Sequence, residues 1–378
     1  MKMTAAVMYE QGLQRPFSES QPLKIETVDL DGPGEGEVLV QIAAAGLCHS
    51  DPSAIKGLRP RAMPTVVGHE AAGVVVETGT GVSKFVTGDH VVMVFVASCG
   101  RCSYCSSGRP NLCQSSWKAR SEGTLQSGAR RLRINGKPLN HYSGISAFAQ
   151  YAVVSETSLV KIPKALPLPL AAIFGCAVIT GVGAVTNAGQ VPKGSRVAVI
   201  GAGGVGLNVI QGAAIAGCER IIAIDLRPRP LEIAKQFGAT DTIGGEPDAA
   251  PDVPASVRAL TAGRGVDYVF DTVGSPATLT LAFACTRKGG AVVLTGLSRM
   301  DAQAAFPMFP FVMQEKRLLG SVYGSGQPAR DIPRLVALYQ EGRLKLGELV
   351  SRTYALDKVN DALTALAASD GARGVIRW

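Results

Sequence analysis

A glycine-rich turn limits what this chain can fold into. The run VIGAGGVGLNVI, residues 199–210, places Gly201, Gly203 and Gly206 after an apolar, β-rich segment and before an alanine-rich helical one. Asp225 ends the next apolar run, IIAID, about twenty residues further on. Glycines at this spacing let the backbone turn tightly and approach a pyrophosphate at the positive end of a helix. The pattern predicts a dinucleotide site on a strand, a turn and a helix.

Asp225 bears on which dinucleotide binds. Its carboxylate is expected to accept hydrogen bonds from the adenosine ribose, and its charge would repel a 2′-phosphate. The sequence therefore favours NAD over NADP. Arg227 and Arg229, just beyond it, weaken this inference.

The fold class follows from the pattern around this turn. From about residue 195 to 297, strand-like runs such as SRVAVIGA and VDYVFDTV alternate with helical runs such as PLEIAKQFG. This alternation predicts an α/β unit with a parallel, doubly wound sheet. Residues up to about 177 read as a mainly β domain, and helical runs with a final strand follow residue 322. A length of 378 residues also favours two domains.

Composition excludes some classes of partner. The net charge is +8, but Lys and Arg never form a run of five, and ARRLR (129–133) is the densest cluster. We expect no nucleic-acid or membrane partner. Residues 197–218 carry no charge, yet their glycines fit a buried strand, turn and helix better than a membrane span. Without a signal-peptide pattern we expect a cytoplasmic protein with reduced cysteines.

Four of the eight cysteines lie in CGRCSYCSSGRPNLC. Cys99, Cys102, Cys105 and Cys113 follow the spacing C-x2-C-x2-C-x7-C, and four thiolates close a tetrahedral zinc shell with no position for substrate. The spacing predicts a structural zinc. A zinc ribbon that binds nucleic acid is the alternative, but there is one such unit and no basic recognition helix.

Candidates for a catalytic metal lie elsewhere. GLCHSD contains Cys48, VVGHEAAG contains His69 and Glu70, and FGCAVITG contains Cys176. Cys48, His69 and Cys176 with one open position match a catalytic zinc site. Glu70 could be an exchangeable fourth ligand or support the ligands from behind. His90 is expected to be structural.

These residues together resemble the zinc-containing medium-chain alcohol dehydrogenases. GLCHSD, GHE, the four-cysteine loop, GC…TG, GAGGVG with Asp225, and FDTVG occur in that family's order over essentially the whole chain. The segment GKPLNHYSGISAFAQYAVV is similar to the longer class I and class III branch. The resemblance implies a GroES-like, mainly β catalytic domain (1–177 and 323–378), a Rossmann coenzyme domain (178–322), two zinc ions per chain and a homodimer.

The resemblance also implies roles for single residues. Asp51 would orient His69, Ser50 would take the alcohol's proton, and His49 would face the pyrophosphate. The remaining coenzyme contacts that it implies are Thr180, Gly204, Val205, Arg227, Thr272, Val273 and Arg373. Where many class I relatives have a relay histidine, this chain has Ser53, which implies a proton relay that ends in water.

The implied activity is hydride transfer between a primary alcohol and NAD, giving the aldehyde. Phe95, Tyr142 and Trp117 are expected to form an apolar, aromatic pocket that suits benzylic, allylic or medium-chain alcohols. Glutathione-dependent formaldehyde oxidation is disfavoured, because Trp117 stands where those relatives have an arginine and Arg59 where they have an acidic residue to hold glutathione, although Lys118 is nearby. An NADPH-linked aldehyde or enone reductase remains an alternative.

Overall fold

The structure is a computed structural model that describes residues 1–245, 252–368 and 373–378. No single helix in these ranges is long and apolar enough to cross a membrane, although one bent pair, Leu168–Gly175 with Ala177–Gly189, meets the same length and composition test. Residues 197–218 form a strand and a helix of the doubly wound unit.

The strands occur throughout the described ranges. In chain order they are β1 (Lys2–Met8), β2 (Leu23–Leu30), β3 (Glu37–Gly46), β4 (Thr65–Val66), β5 (Ala71–Thr78), β6 (His90–Met93), β7 (Leu132–Ile134), β8 (Lys137–His141), β9 (Tyr151–Ser155), β10 (Leu159–Lys161), β11 (Arg196–Ile200), β12 (Arg220–Asp225), β13 (Asp241–Gly244), β14 (Val266–Asp271), β15 (Thr286–Leu294), β16 (Arg317–Gly320), β17 (Val350–Tyr354) and β18 (Arg373–Arg377).

The longer helices lie mostly in the second half of the chain. The α-helices are α1 (Phe17–Ser20), α2 (Ser50–Ile55), α3 (Ser103–Ser106), α4 (Gln114–Glu122), α5 (Leu168–Ala171), α6 (Ala177–Gly183), α7 (Gly204–Ile215), α8 (Pro228–Gln236), α9 (Val253–Leu260), α10 (Pro276–Cys285), α11 (Met308–Met313), α12 (Pro328–Gln340) and α13 (Val359–Ala368). Short 3₁₀ turns include Ala172–Gly175 and Tyr323–Ser325, and Ala184–Gly189 is a π-helical turn.

The first half of the chain is mainly β, as its sequence predicts. Strands β1, β2, β7, β8 and β4 close a small barrel, and a second sheet has the order β10-β6-β5-β3-β18-β17, with β9 also paired to β3. The last strand, β18, runs antiparallel to β3, so the end of the chain returns to the sheet of the first half. The domain boundaries themselves stay predictions.

The middle of the chain forms a six-stranded sheet in the order β13-β12-β11-β14-β15-β16. All its pairings are parallel, and β11 and β14 are central strands with largely buried apolar residues. A strand covered on both faces reads as a nearly continuous apolar run, and this is the pattern of VAVI in β11. The α/β class with a GroES-like and a Rossmann-type part is confirmed.

One buried apolar cluster joins the two parts. It includes Val92 of β6, Phe174 and Val178 near α6, and Val199 and Phe270 of the parallel sheet. Because α6 packs on α7 as well as on the 3₁₀ turn Tyr323–Ser325, the residues just before α6 are held between the β part and the parallel sheet. Cys176 occupies this position.

Candidate functional site

Four candidate ligands from distant parts of the chain meet in the structure. Cys48 follows β3, His69 and Glu70 precede β5, and Cys176 immediately precedes α6. One donor atom from each lies within 4.8 Å of the others, and all four residues are buried. The two sulfur atoms are 4.0 Å apart. The sheet of the first half and the start of α6 therefore build one compact donor cluster.

Asp51 holds two of these ligands in place. One carboxylate oxygen, Oδ1, lies 3.0 Å from His69 Nδ1, and the other, Oδ2, accepts a hydrogen bond of 2.9 Å from the Cys48 backbone N–H. Asp51 is only 3% exposed. Because Nδ1 is engaged by the carboxylate, Nε2 is left as the coordinating nitrogen of His69.

Glu70 has one oxygen paired and one without a partner. Its Oε2 lies 3.2 Å from Arg373 Nη1, whereas its buried Oε1 has no hydrogen-bond partner among the described residues. Burial raises the pKa of Glu70 to about 8, and the charge of Arg373 opposes this shift. A fully buried carboxylate oxygen without a partner is costly, and a cation beside it would remove that cost.

This donor set fits zinc. Two thiols, an imidazole nitrogen and a carboxylate oxygen are the ligands that Zn²⁺ takes in proteins. The neighbouring Cys176 sulfur, acting as a hydrogen-bond donor, lowers the pKa of the Cys48 thiol well below its ordinary value, which favours the thiolate that a metal requires. Cys48, His69 and Cys176 would hold the ion, and Glu70 offers a carboxylate oxygen as an exchangeable further ligand.

The four-cysteine loop forms a second cluster of ligand atoms. The sulfur atoms of Cys99, Cys102, Cys105 and Cys113 all lie within 4.8 Å of one another. The backbone N–H of Cys99 donates to the Cys113 sulfur over 3.3 Å, and that of Cys102 donates to the Cys99 sulfur over 3.4 Å. Four neighbouring thiols, two of which accept a backbone N–H, fit a closed Zn²⁺ shell.

The glycine turn lies where the sequence predicts, between β11 and α7. Gly201 has a φ of +90°, and a methyl group there would lie 2.9 Å from a Val273 methyl carbon. Around Gly203, which precedes the first residue of α7, there is open space at the helix N-terminus. The hydroxyl of Thr272 donates to the carbonyl of Gly201 over 3.0 Å. The turn is thus held by its neighbour strand and open towards solvent.

Three charged residues lie beside this turn. Asp225 Oδ2 accepts a hydrogen bond of 2.9 Å from Ala202 N–H, and Arg227 Nε lies 3.5 Å from the other carboxylate oxygen. Arg373 is buried, and a methyl group at Gly204 would lie 3.0 Å from its guanidinium carbon. The residue that pairs with Glu70 therefore also contacts the start of α7.

The other predicted coenzyme residues lie near these groups. Thr180 is on α6, one turn beyond Cys176, whose carbonyl accepts its N–H over 3.0 Å. A methyl group at Gly181 would lie 2.6 Å from the Val205 carbonyl oxygen, so α6 and α7 approach closely here. His49 is exposed at the start of α2, and its pKa is lowered by partial burial and by surrounding arginines including Arg373.

Comparisons with known proteins agree with this architecture. A zinc-binding dehydrogenase model matches residues 204–341, and an alcohol dehydrogenase GroES-like domain model matches residues 34–164. The NDMA-dependent alcohol dehydrogenase of Amycolatopsis methanolica is 40% identical over 100% of this chain and 99% of that protein.

The chain belongs to the zinc-containing medium-chain alcohol dehydrogenase family.

Other members are similar over the full length. The S-(hydroxymethyl)glutathione dehydrogenase of Photobacterium damsela subsp. piscicida is 38% identical over 100% of both chains. The crystal structure of benzyl alcohol dehydrogenase from Acinetobacter calcoaceticus has a TM-score of 0.92 at 31% identity, covering 100% of this chain and 99% of that one. Membership makes this alcohol dehydrogenase homologue an oxidoreductase of the zinc-dependent dehydrogenase type.

Both aromatic and charged side chains lie around the metal cluster. The centres of the Phe95 and Tyr142 rings lie 5.5 and 6.0 Å from the centre of the His69 ring. Trp117 is 40% exposed. The guanidinium groups of Arg61 and Arg120 lie over the Tyr142 and Phe95 rings, respectively. No local motif marks either residue, because both reach the site only through the fold.

Proposed function

We propose that this chain is an NAD-dependent zinc alcohol dehydrogenase that converts primary alcohols and their aldehydes into one another. The observation that carries the proposal is the cluster of Cys48, His69, Glu70 and Cys176, with donor atoms within 4.8 Å of one another. Arg373 contacts both Glu70 and the first residue of α7, so the cluster lies beside the glycine turn.

The implied groups supply the electrophilic chemistry. When bound, zinc acts as a Lewis acid on the oxygen of the alcohol or aldehyde, and the nicotinamide accepts or donates the hydride. The chain's own contribution is to keep the ligands rigid. Asp51 engages His69 Nδ1, and the same carboxylate anchors the backbone at Cys48. Tyr323 donates its buried O–H to the carbonyl of Gly175 over 2.7 Å, which fixes the backbone before Cys176.

Ser50 is the residue that we propose to accept the alcohol's proton. It is the first residue of α2 and is partly exposed, two residues after Cys48. Ser53 lies on the same helix, but its hydroxyl donates to the carbonyl of His49 over 2.8 Å. Since Ser53 is engaged with the backbone, we propose that the proton passes from Ser50 through the coenzyme ribose to water.

Asp225 supports NAD as the coenzyme. Its carboxylate is held at the glycine turn by the N–H groups of Ala202 and Arg227, at 2.9 and 3.1 Å. A carboxylate fixed there can accept hydrogen bonds from ribose hydroxyls and disfavours a 2′-phosphate by charge repulsion. The nearby Arg227 guanidinium offsets part of that repulsion, so we propose a preference for NAD without exclusion of NADP.

One experiment tests the activity and its metal together. Purified protein is assayed for zinc and screened for NADH formation with benzylic, allylic and medium-chain primary alcohols. We expect about two zinc ions per chain and activity that Cys48→Ser abolishes. Cys218→Ser is the matched control, because Cys218 lies outside both cysteine clusters, and it should keep metal and activity. Full activity in Cys48→Ser would overturn the proposal.

We also propose a homodimer and a cytoplasmic location. Met308 and Phe309 of α11 are 78% and 76% exposed, and Leu318 lies on β16, which pairs with β15 alone among the described strands. An exposed apolar helix beside an open sheet edge fits a second copy of the chain. Light scattering on the purified protein tests the dimer. The free state of all eight cysteines supports a reducing compartment, which cell fractionation tests.

A further inference from the structure

Three arginines lie near the aromatic rings beside the metal cluster. Arg59 and Arg61 lie in the segment after α2, and Arg120 lies on α4. The Arg61 guanidinium carbon is 5.3 Å from the centre of the Tyr142 ring, and that of Arg120 is 4.9 Å from the centre of the Phe95 ring. Since these two rings contact His69 directly, each guanidinium lies one aromatic ring away from a candidate metal ligand.

These arginines lack counter-ions. No carboxylate in the described ranges forms an ion pair with any of the three, and Nε of Arg61 and both Nε and Nη1 of Arg120 are shielded from water without a hydrogen-bond partner there. Arg120 is sandwiched between Phe95 and Trp117, with its guanidinium carbon 4.3 Å from the centre of the Trp117 ring. Stacking on rings stabilises a cation but satisfies none of its N–H donors.

The positive charges of the three arginines repel one another. Burial, together with the charges of Arg61 and Arg59, lowers the pKa of Arg120 to about 10. Burial and Arg61 also lower the pKa of Arg59. Arginine side chains keep their charge at neutral pH. The nearby Asp51 and thiol groups are committed to the metal cluster, so an anion from outside the chain is the group that would relieve this repulsion.

The backbone holds the arginines in place. Gln11 donates its amide Nε2–H to the Arg59 carbonyl over 3.1 Å and accepts the Arg61 N–H at its Oε1 over 3.0 Å. Helix α4 begins directly after Cys113, the last cysteine of the four-cysteine loop. The backbone N–H of Trp117 donates to the Cys113 carbonyl over 3.1 Å. The loop thus fixes the helix that presents Arg120.

We propose that the alcohol or aldehyde substrate carries a carboxylate, which Arg61 and Arg120 bind with Arg59 adding positive charge, about one aromatic ring away from the reacting carbon. This inference rests on the proposed function and replaces the apolar substrate class that the sequence suggests. Guanidinium groups with free N–H donors match a carboxylate in both charge and geometry.

Kinetics with matched substrates tests the pocket. The pair is 4-(hydroxymethyl)benzoate and benzyl alcohol, which differ only in the carboxylate. We expect kcat/KM to favour the carboxylate by about tenfold or more, as a charge-assisted hydrogen bond allows. Arg120→Met and Arg61→Met should each remove most of this preference. Arg264→Met, at an exposed turn before β14, should leave both values unchanged.

Two further substrates test the distance between the carboxylate and the reacting carbon. Glycolate, whose carboxylate is next to the hydroxyl-bearing carbon, should be a poor substrate if the spacing is one ring. S-(hydroxymethyl)glutathione carries carboxylates on a long, flexible chain, and a preference for it over 4-(hydroxymethyl)benzoate would overturn the one-ring spacing. Higher kcat/KM for benzyl alcohol than for 4-(hydroxymethyl)benzoate would overturn the carboxylate site but leave the dehydrogenase proposal intact.

A binding measurement does not depend on turnover. Trp117 stacks on Arg120, and the chain's other tryptophan is Trp378, so Trp378→Phe isolates the Trp117 fluorescence. We expect 4-methylbenzoate, which cannot be oxidised as an alcohol, to change this fluorescence saturably, and toluene to have no such effect. Adding Arg120→Met should weaken binding by about tenfold. If 4-methylbenzoate changes the fluorescence as expected but no alcohol is oxidised, the dehydrogenase proposal alone is refuted. If the enzyme oxidises alcohols but 4-methylbenzoate does not change the fluorescence, the carboxylate site is refuted.

Discussion

Asp51 is the position at which a single atom exchange best tests the metal centre. Asp51→Asn keeps the size of the side chain but replaces one carboxylate oxygen by an NH₂ group. The amide oxygen can still accept from His69 Nδ1 or from the Cys48 N–H, which lie 3.0 and 2.9 Å from the two carboxylate oxygens, but not from both in the present geometry. Either the His69 Nδ1–H or the Cys48 backbone N–H would then face the NH₂ group of the new amide, and two donors cannot form a hydrogen bond.

The magnitude follows from these two contacts. A hydrogen bond to a charged group contributes about 1.5–3 kcal/mol, and a buried donor left without an acceptor costs about 1–3 kcal/mol. Loss of a residue that orients a metal-bound histidine typically weakens metal binding by about 10- to 100-fold. We therefore expect Asp51→Asn to weaken one of the two zinc sites by that factor and to leave the four-cysteine site unchanged.

The assay is zinc competition with a chelator of known affinity, followed for both zinc ions. Asp89→Asn is the matched control, because Asp89 is equally buried and also holds one backbone N–H, that of Val86, and one side chain, that of Lys161. It lies outside both donor clusters. The control should lose stability but keep both zinc affinities. Unchanged zinc affinity in Asp51→Asn would refute the reasoning.

Three further predictions concern the other parts of the molecule. Cys102→Ser should remove about one zinc ion per chain and lower the melting temperature in calorimetry, with the other zinc retained, whereas loss of neither metal nor stability would contradict a structural centre. Asp225→Ser should lower kcat/KM for NAD and raise it for NADP, and an unchanged ratio would show that Asp225 does not select the coenzyme. Ser50→Ala should reduce kcat by about 10²- to 10⁴-fold and Ser53→Ala far less, and equally severe losses in stopped-flow turnover would rule out the relay that bypasses Ser53.

The parallel sheet could be predicted closely because its strands carry their own signals. The runs containing β11, β12 and β14 are apolar and bounded by glycine or charged residues. Segments with the pattern of a helix separate them. Strand β16 (Arg317–Gly320) is different. It is an edge strand with exposed residues, so its sequence has no buried apolar run from which to identify it.

Motifs predicted the metal ligands, whereas the surroundings of the metal site depend on the fold. Cys48 and His69 stand in short local patterns, so their roles can be read without knowing what lies opposite. Arg61 and Arg120 stand in no pattern, and their meaning comes from the two rings on which they lie. A pocket's polarity depends on side chains from several segments, and a list of its aromatic residues omits the cations that stack on them.

Arg373 shows why the two halves of the site have to be considered together. The guanidinium donates to the Leu47 carbonyl over 2.8 Å, pairs with Glu70 and contacts Gly204 at the start of α7. Its strand, β18, returns to β3 from the far end of the chain. Because one buried cation touches both the carboxylate of the metal cluster and the helix end that would face a pyrophosphate, a charge arriving at either place changes the electrostatic energy of the other.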